Sequence, residues 1–470
     1  MLLKNIFCIL IFISKSILTL AIYPIENKQS TYIFNDLEIN NNQYTIKSKD
    51  LSNNNKLISL AIGNYKLSNY YIRSSLGSKK QTLNLALNTK NNLNWIITTN
   101  CLDCKNNFPF NYKKSETFKY NSNKIITTYN FTHSSYSGYE ASDLFSITHS
   151  SFLDKYKYNL DFNSIDSTWR LQNNLIDGCL SISFPNKYAI YLKNNKIIDN
   201  GILSINLSKD SSTLSYLTFG GYDKDIVKDS TKIIWKDITL KKDLNTEDKN
   251  VFFDRSIDWY IDVEKLYINN KDYNTNNKKI KIALDTLNKG IFIPKSDFFT
   301  VKDMIFNDNL SCQEQLLGYF RCKCDSDYHK QFNTIVINFD KLNSITINPE
   351  DYITYIESVN SFNCYVMLYI NYDNNLKDYW ILGNLFISNY YTIMDYDNNK
   401  IGFYNIRTEI NQTNIKNLLL IVLLIILGSC IFLGLVYLIY KKYLNRRDNV
   451  NSIRDNILNN NGNEEGRINN

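Results

Sequence analysis

Glycine, proline and histidine are scarce in this chain of 470 residues. Fifteen Gly and 5 Pro argue against a glycine-rich cofactor fold and a collagen-like one. Three His stand far apart, at His133, His149 and His329. A multi-His metal site is therefore not expected, and neither is a cofactor. The net charge of +7 is spread thinly, with no dense basic block, which speaks against a nucleic-acid partner. Hydrophobic residues at 44% and charged residues at 21% exclude whole-chain disorder. Aromatic residues are abundant: 35 Tyr and 25 Phe lean the chain towards β-strands. At about 100–200 residues per domain, the length allows several domains or one large two-lobed one.

The longest apolar run is Leu418–Tyr440, 23 residues without a charge. At about 1.5 Å per residue it is long enough to cross the hydrocarbon of a bilayer. Lys441, Lys442, Arg446 and Arg447 follow it directly, which places that side in the cytoplasm. Residues 1–21 have a short charged start, an apolar stretch from Ile6 to Ile13 and small residues near Ala21. They read as a signal peptide, although Lys15 interrupts the pattern. The two ends together predict a single-pass type I membrane protein. Its ectodomain is luminal or extracellular, in the secretory or endomembrane system or at the cell surface.

An oxidising compartment then favours disulfides. Seven Cys fall in the ectodomain: Cys101, Cys104, Cys179, Cys312, Cys322, Cys324 and Cys364. The number is odd, so at least one stays free, and Cys179, in an apolar run, is the candidate for a buried thiol. Cys101 and Cys104 form a short local pair. Cys312, Cys322, Cys324 and Cys364 make two more bridges, with the partner of Cys312 open between Cys322 and Cys324. The close pairs also suit a redox or zinc site, but no neighbouring His or thioredoxin-like context accompanies them. Four N-x-S/T sequons, at Asn130, Asn206, Asn309 and Asn411, fit a glycoprotein on the secretory route.

Asn-rich stretches at 40–42, 53–55 and 274–279 read as loops. Between such stretches lie many short segments of alternating polarity, and helix-period runs are rare before the apolar span. The fold class is thus all-β and mainly antiparallel. Two alternating segments end alike. Thr82 to Leu87 runs into Asn88-Thr89-Lys90, and Lys279 to Leu284 runs into Asp285-Thr286-Leu287. The endings lie 285 − 88 = 197 positions apart, a weak sign of internal duplication at lobe size.

On these residues the ectodomain resembles the pepsin-like aspartic proteases, from about Lys66 to Ile406. Gly77 to Gln81 is similar to the turn ahead of the first catalytic strand, and Asn88 to Trp95 takes the place of D-T-G-S-S-x-x-W. Tyr129 to Asp143, with Gly138, resembles the flap hairpin. Tyr129 is the first candidate for the flap tyrosine and Tyr136 its rival. Asp177 to Ser181 resembles D-G-I-L-G, and Leu217 to Asp223 resembles the F-G-G-x-D strand. Asp285 to Lys289 takes the place of the second D-T-G-[ST]-S. Tyr379 to Tyr391 resembles W-I-L-G-D-x-F-x-x-x-Y-Y. The resemblance implies a bilobal β fold with a peptide-binding cleft between the lobes. It divides the chain into a propeptide-like N-terminal extension (22–65), an N-terminal lobe (66–240) and a C-terminal lobe (241–407). A juxtamembrane linker (408–417), the membrane helix (418–440) and a cytoplasmic tail (441–470) follow. Thr89, Thr286, Tyr129 and Gly138 are the implied substrate-binding residues.

In that family two carboxylates hold one water. One acts as general base and the other as general acid. Here Asp285 is retained, but Asn88 stands at the position of the first catalytic Asp. An amide neither gives up nor accepts a proton near neutral pH. Lys90 and Leu287 replace glycines that allow close approach of the backbone. The mild reading of Lys90 is a solvated side chain pointing away. Asn288 and Lys289 replace a Ser/Thr pair, so hydrogen bonds to Asp285 from these positions are expected to be lost. Ser181 and Asn384 replace a family Gly and Asp. The expectation is a catalytically inactive homologue, a pseudoenzyme with a monomeric ectodomain that binds a peptide or protein ligand. The alternatives are an active aspartic endopeptidase of an acidic lumen, with Asp103 or Glu116 as substitute acid, and a structural or adhesive ectodomain.

Overall fold

In the computed structural model the described residues are 57–465. Outside the description are 66–68, 105–107, 130–134, 148–157, 170–175, 209–214, 242–256, 274–279, 307–310, 316–318, 359–360, 372–375 and 377. The expected signal peptide, most of the N-terminal extension, and the sequons at Asn130 and Asn309 therefore lie outside the described residues.

The body is mostly β. Its N-terminal half contains β1 (Ile58–Tyr65), β2 (Asn69–Leu76), β3 (Gln81–Asn88), β4 (Trp95–Ile97), β5 (Lys119–Tyr129), β6 (Ser135–Ser146), β7 (Tyr158–Trp169), β8 (Gly178–Ser181), β9 (Ile202–Asn206) and β10 (Ser215–Phe219). They form a 13-stranded sheet together with three strands from farther along the chain, Ile234–Asp237, Tyr390–Asp395 and Lys400–Asn405. Tyr390–Asp395 pairs with β9, so the C-terminal half closes the sheet of the N-terminal one. β1 is hydrogen-bonded on both sides, to β10 and to β2. The last part of the segment read as an N-terminal extension is thus a central strand of the sheet.

The alternation in β3 has a direct structural meaning. Leu83, Leu85 and Leu87 face the main apolar core, which contains residues of both halves. Ala86 faces a second cluster with Trp95, Tyr136, Ile165 and Cys179. A strand covered on both faces must have its backbone paired internally, because no water reaches it. β3 meets this need by lying parallel to β8, with Leu87 beside Leu180 and Asn88 beside Ser181.

The C-terminal half repeats the plan. Ile280–Leu284 lies parallel to Tyr379–Leu382, which is antiparallel to Ile291–Pro294, which is parallel to Leu368–Asn371. The N-terminal half runs β3, β8, β4, β7 with the same parallel, antiparallel, parallel sequence. Ile280, Ile282 and Leu284 enter the main core, while Ala283 faces a separate cluster with Phe292 and Ile381. The matching topology explains why two distant segments end in similar tripeptides.

Disulfides join Cys101 to Cys104, Cys312 to Cys322 and Cys324 to Cys364, which settles the open partner of Cys312. Cys179 is buried and takes part in no disulfide among the described residues. Residues Ile406–Glu465 form one helix of 60 residues, so the stretch expected as a linker is helical. Its segment Val422–Asn451 contains an 18-residue window of mean hydropathy 2.9 and is long and apolar enough to cross a membrane. Leu423, Leu424, Phe432 and Leu438 on it are exposed, unlike the side chains of a core helix.

Candidate active site

The two similar endings are brought together where the halves meet. Asn88 closes β3, and Asp285 directly follows Ile280–Leu284. Both side chains are fully buried. Thr89 and Thr286 join the loops reciprocally: each backbone N–H donates to the other threonine's Oγ1, at 3.2 Å in both directions. The hydroxyls then reach across, Thr89 Oγ1 to the Leu284 carbonyl at 3.0 Å and Thr286 Oγ1 to the Leu87 carbonyl. Four hydrogen bonds thus set the spacing of Asn88 and Asp285. Trp259 Nε1 adds a fifth tie between the halves, donating to the Thr89 carbonyl at 2.7 Å.

Each loop also folds around its own polar side chain. Asn88 Oδ1 accepts from Lys90 N at 3.0 Å, and Asp285 Oδ1 accepts from Leu287 N at 2.9 Å. Asn88 Nδ2 donates to Asn91 Oδ1 at 2.6 Å, and Asn288 Nδ2 donates to Asp285 Oδ2 at 2.6 Å. The expected loss of hydrogen bonds at the Ser/Thr positions is corrected here. An asparagine amide reaches the same acceptor that a hydroxyl would. Ser181 and Asn384 also hold the loops, through Ser181 Oγ to the Asn91 carbonyl at 2.8 Å and Asn384 Nδ2 to the Thr286 carbonyl at 2.8 Å.

The largest departure from expectation is Lys90. Its side chain is 1% exposed, and its ammonium lies 3.1 Å from Asp285 Oδ2. The mild reading of a solvated side chain is therefore wrong. In this buried centre the lysine turns towards the Asp285 carboxylate, because an unpaired buried charge is far more costly. Asp285 now receives three donors: Leu287 N, Asn288 Nδ2 and Lys90 Nζ. Leu287 makes the reverse crossing, packing from its own loop against the cluster of Ala86, Trp95 and Tyr136 in the opposite half. The residues at the two glycine positions have thus been exchanged across the boundary.

Lys289 is also mostly withdrawn from water, and burial lowers its pKa below the ordinary lysine value. Its carbonyl accepts from Leu385 N at 3.0 Å, but its ammonium has no ion pair among the described residues.

Other expected site residues fall as follows. Tyr136 is buried and packs on Trp95, with ring centroids 5.3 Å apart, whereas Tyr129 ends β5 and its side chain is outside the description. The rival tyrosine thus packs on the tryptophan that opens β4. Gly138 lies in β6, where a Cβ would sit 1.5 Å from the Ser164 carbonyl oxygen, so close strand approach requires glycine there. The substitute acids are elsewhere: Asp103 is exposed, and Glu116 pairs with Lys79 at 2.8 Å on the surface. Among the described residues no cluster of His, Cys, Asp or Glu is arranged to hold a metal ion. Asn206 ends β9, and Asn411 lies in the C-terminal helix.

Two duplicated β halves that meet at cross-bonded Asn-Thr and Asp-Thr loops define the pepsin-like architecture. Residues 69–406 match the family model of the eukaryotic aspartyl proteases, and the chain belongs to that family. It is similar to plasmepsin VII of Plasmodium berghei, 24% identical over 395 residues, covering 77% of this chain and 79% of the relative. It is also similar to plasmepsin I of Plasmodium falciparum (24% over 346 residues, 71% and 68%). Gastricsin of Callithrix jacchus is 22% identical over 349 residues, with 71% and 80% covered.

Proposed function

We propose that this chain is a membrane-anchored, pepsin-like pseudoprotease that binds a peptide or protein ligand through its cleft without cleaving it. The observation that carries this reading is the buried pair of Lys90 and Asp285. Aspartic protease chemistry needs a water held between two carboxyl groups that exchange roles as acid and base. Here the mirror position of Asp285 is an amide, which cannot exchange a proton. The remaining carboxylate is engaged by an ammonium and two N–H donors. Loss of one general acid–base group alone typically costs about 10²–10⁴-fold in rate.

The scaffold around this centre is kept. Thr89, Thr286, Ser181 and Asn384 all hold the loops in place, which favours a retained peptide groove over a purely structural ectodomain. The three disulfides fit a luminal or extracellular body. The basic residues after the apolar helix fit a cytoplasmic C-terminal tail, and sequons such as Asn206 fit glycosylation.

The test is cleavage of a denatured protein by the purified full chain in detergent, between about pH 3 and 7 where carboxyl dyads work. Parent, Asp285→Ala and the triple variant Asn88→Asp, Lys90→Gly, Leu287→Gly are compared. The reading expects no cleavage by the parent and some by the triple variant. Parent cleavage that disappears in Asp285→Ala would overturn it and establish a one-aspartate protease.

A further inference from the structure

An amine and a carboxyl group held together away from water are the two parts of an amide. Lys90 Nζ lies 3.1 Å from Asp285 Oδ2, and Asp285 Cγ is one bond beyond that contact. Groups that react readily when held in place have their reacting atoms about 3–3.5 Å apart. The two residues come from opposite halves. The loops that carry them are tied by the cross-bonds of Thr89 and Thr286, so the pair is held at this distance from both sides.

The surroundings suit the reaction at each atom. Asp285 Oδ1 accepts from Leu287 N at 2.9 Å, and Oδ2 accepts from Asn288 Nδ2 at 2.6 Å. Donors in such positions stabilise the negative oxygen of a tetrahedral intermediate. Both side chains are at most 1% exposed, which keeps bulk water from reversing the product.

We propose that Lys90 and Asp285 condense into an isopeptide bond that joins the two halves covalently. One ammonium proton passes to Oδ2, and the lone pair freed on Nζ attacks Cγ. A second proton follows to Oδ2, the Cγ–Oδ2 bond breaks, and one water leaves. The third ammonium hydrogen stays on the amide nitrogen. Oδ1 becomes the amide carbonyl oxygen, held by Leu287 N. No oxidation state changes and no outside reagent is consumed. Two buried charges become one neutral amide, which removes the cost of keeping both away from water. The inference goes beyond the peptide-binding reading and does not rest on it, because the bond is detected without any ligand.

The experiment is peptide mapping of the full chain, purified in detergent, reduced and digested with trypsin. Trypsin does not cut at an acylated lysine. The linked product is therefore residues 81–105 joined to residues 282–289, lighter than the two together by one water, about 18 Da. An unlinked chain gives residues 81–90, 91–105 and 282–289 as separate peptides. The linked product should account for most of the parent molecules. Asp285→Ala should abolish it. Lys90→Arg should abolish it too while keeping a cation at the site, because the guanidinium stays protonated. Melting curves report whether each variant is folded, and Lys90→Arg carries the comparison if Asp285→Ala is not. Separate peptides from most of the parent molecules overturn the inference. A linked product that persists in Lys90→Arg also overturns it.

Discussion

The Lys90 ammonium and the Asp285 carboxylate are 3.1 Å apart, come from opposite halves of the molecule, and are both shut off from solvent. Removing either partner leaves a lone charge in a dry interface. Lys90→Met or Asp285→Leu alone should therefore cost about 3–5 kcal/mol, whereas the double variant should cost clearly less than the sum of the two. Denaturant unfolding of all four proteins gives the coupling energy. Simple addition of the two single losses would mean that the pair does not interact.

Leu287 is the apolar counterpart of this crossing. Leu287→Ala withdraws a side chain from the cluster around Trp95 and Tyr136. Because Leu287 is only partly buried, the loss should fall near the low end for such truncations, about 2 kcal/mol. The change should also expose the Trp95 face and make peptide binding faster. Stopped-flow fluorescence reads the rate, and an unchanged rate would show that Leu287 does not restrict access.

The disulfides should differ in worth. Cys324–Cys364 closes a loop with a sequence separation of 40 and Cys101–Cys104 one of only 3. On loop entropy, replacing the first pair by Ser should cost about 4 kcal/mol and the second about 2. Equal losses would mean that local packing, not chain restraint, sets their contribution.

Burial lowers the pKa of Lys289 below the ordinary lysine value. Between its folded and unfolded values the unfolded chain binds more protons, so this group makes stability rise with pH up to about 10.4. Lys289→Met should stabilise the protein at neutral pH and abolish that rise. Tyr158 and Tyr391, pushed up to about 12 by burial, act oppositely above pH 10. The quantity to measure is therefore the difference in stability between parent and variant across pH. A difference that is flat with pH would refute the assignment.

Much of the frame is legible in the sequence because it depends on short-range alternation. Leu83, Leu85 and Leu87 mark one face of β3, and Ile280, Ile282 and Leu284 mark the equivalent face in the second half. Thr89 and Thr286 follow at fixed offsets, so their cross-bonds are implied by the family pattern. The direction of Lys90 is not legible. A four-carbon side chain reaches either solvent or the facing carboxylate from the same backbone, and only three-dimensional burial decides between them. Tyr136 and Tyr129 are both hairpin tyrosines, and the sequence does not tell that Tyr136 packs on Trp95. The place of Ile58–Tyr65 in the sheet depends on its pairing with β10, more than 150 positions away, which local periodicity does not encode.

The exchanged side chains bear on how the two halves could ever exist apart. A free N-terminal half would keep Lys90 without its acid and an apolar face without Leu287, while a free C-terminal half would keep the acid and the leucine with nowhere to place them. The halves therefore stand to each other as obligate subunits of a heterodimer that happen to share one polypeptide.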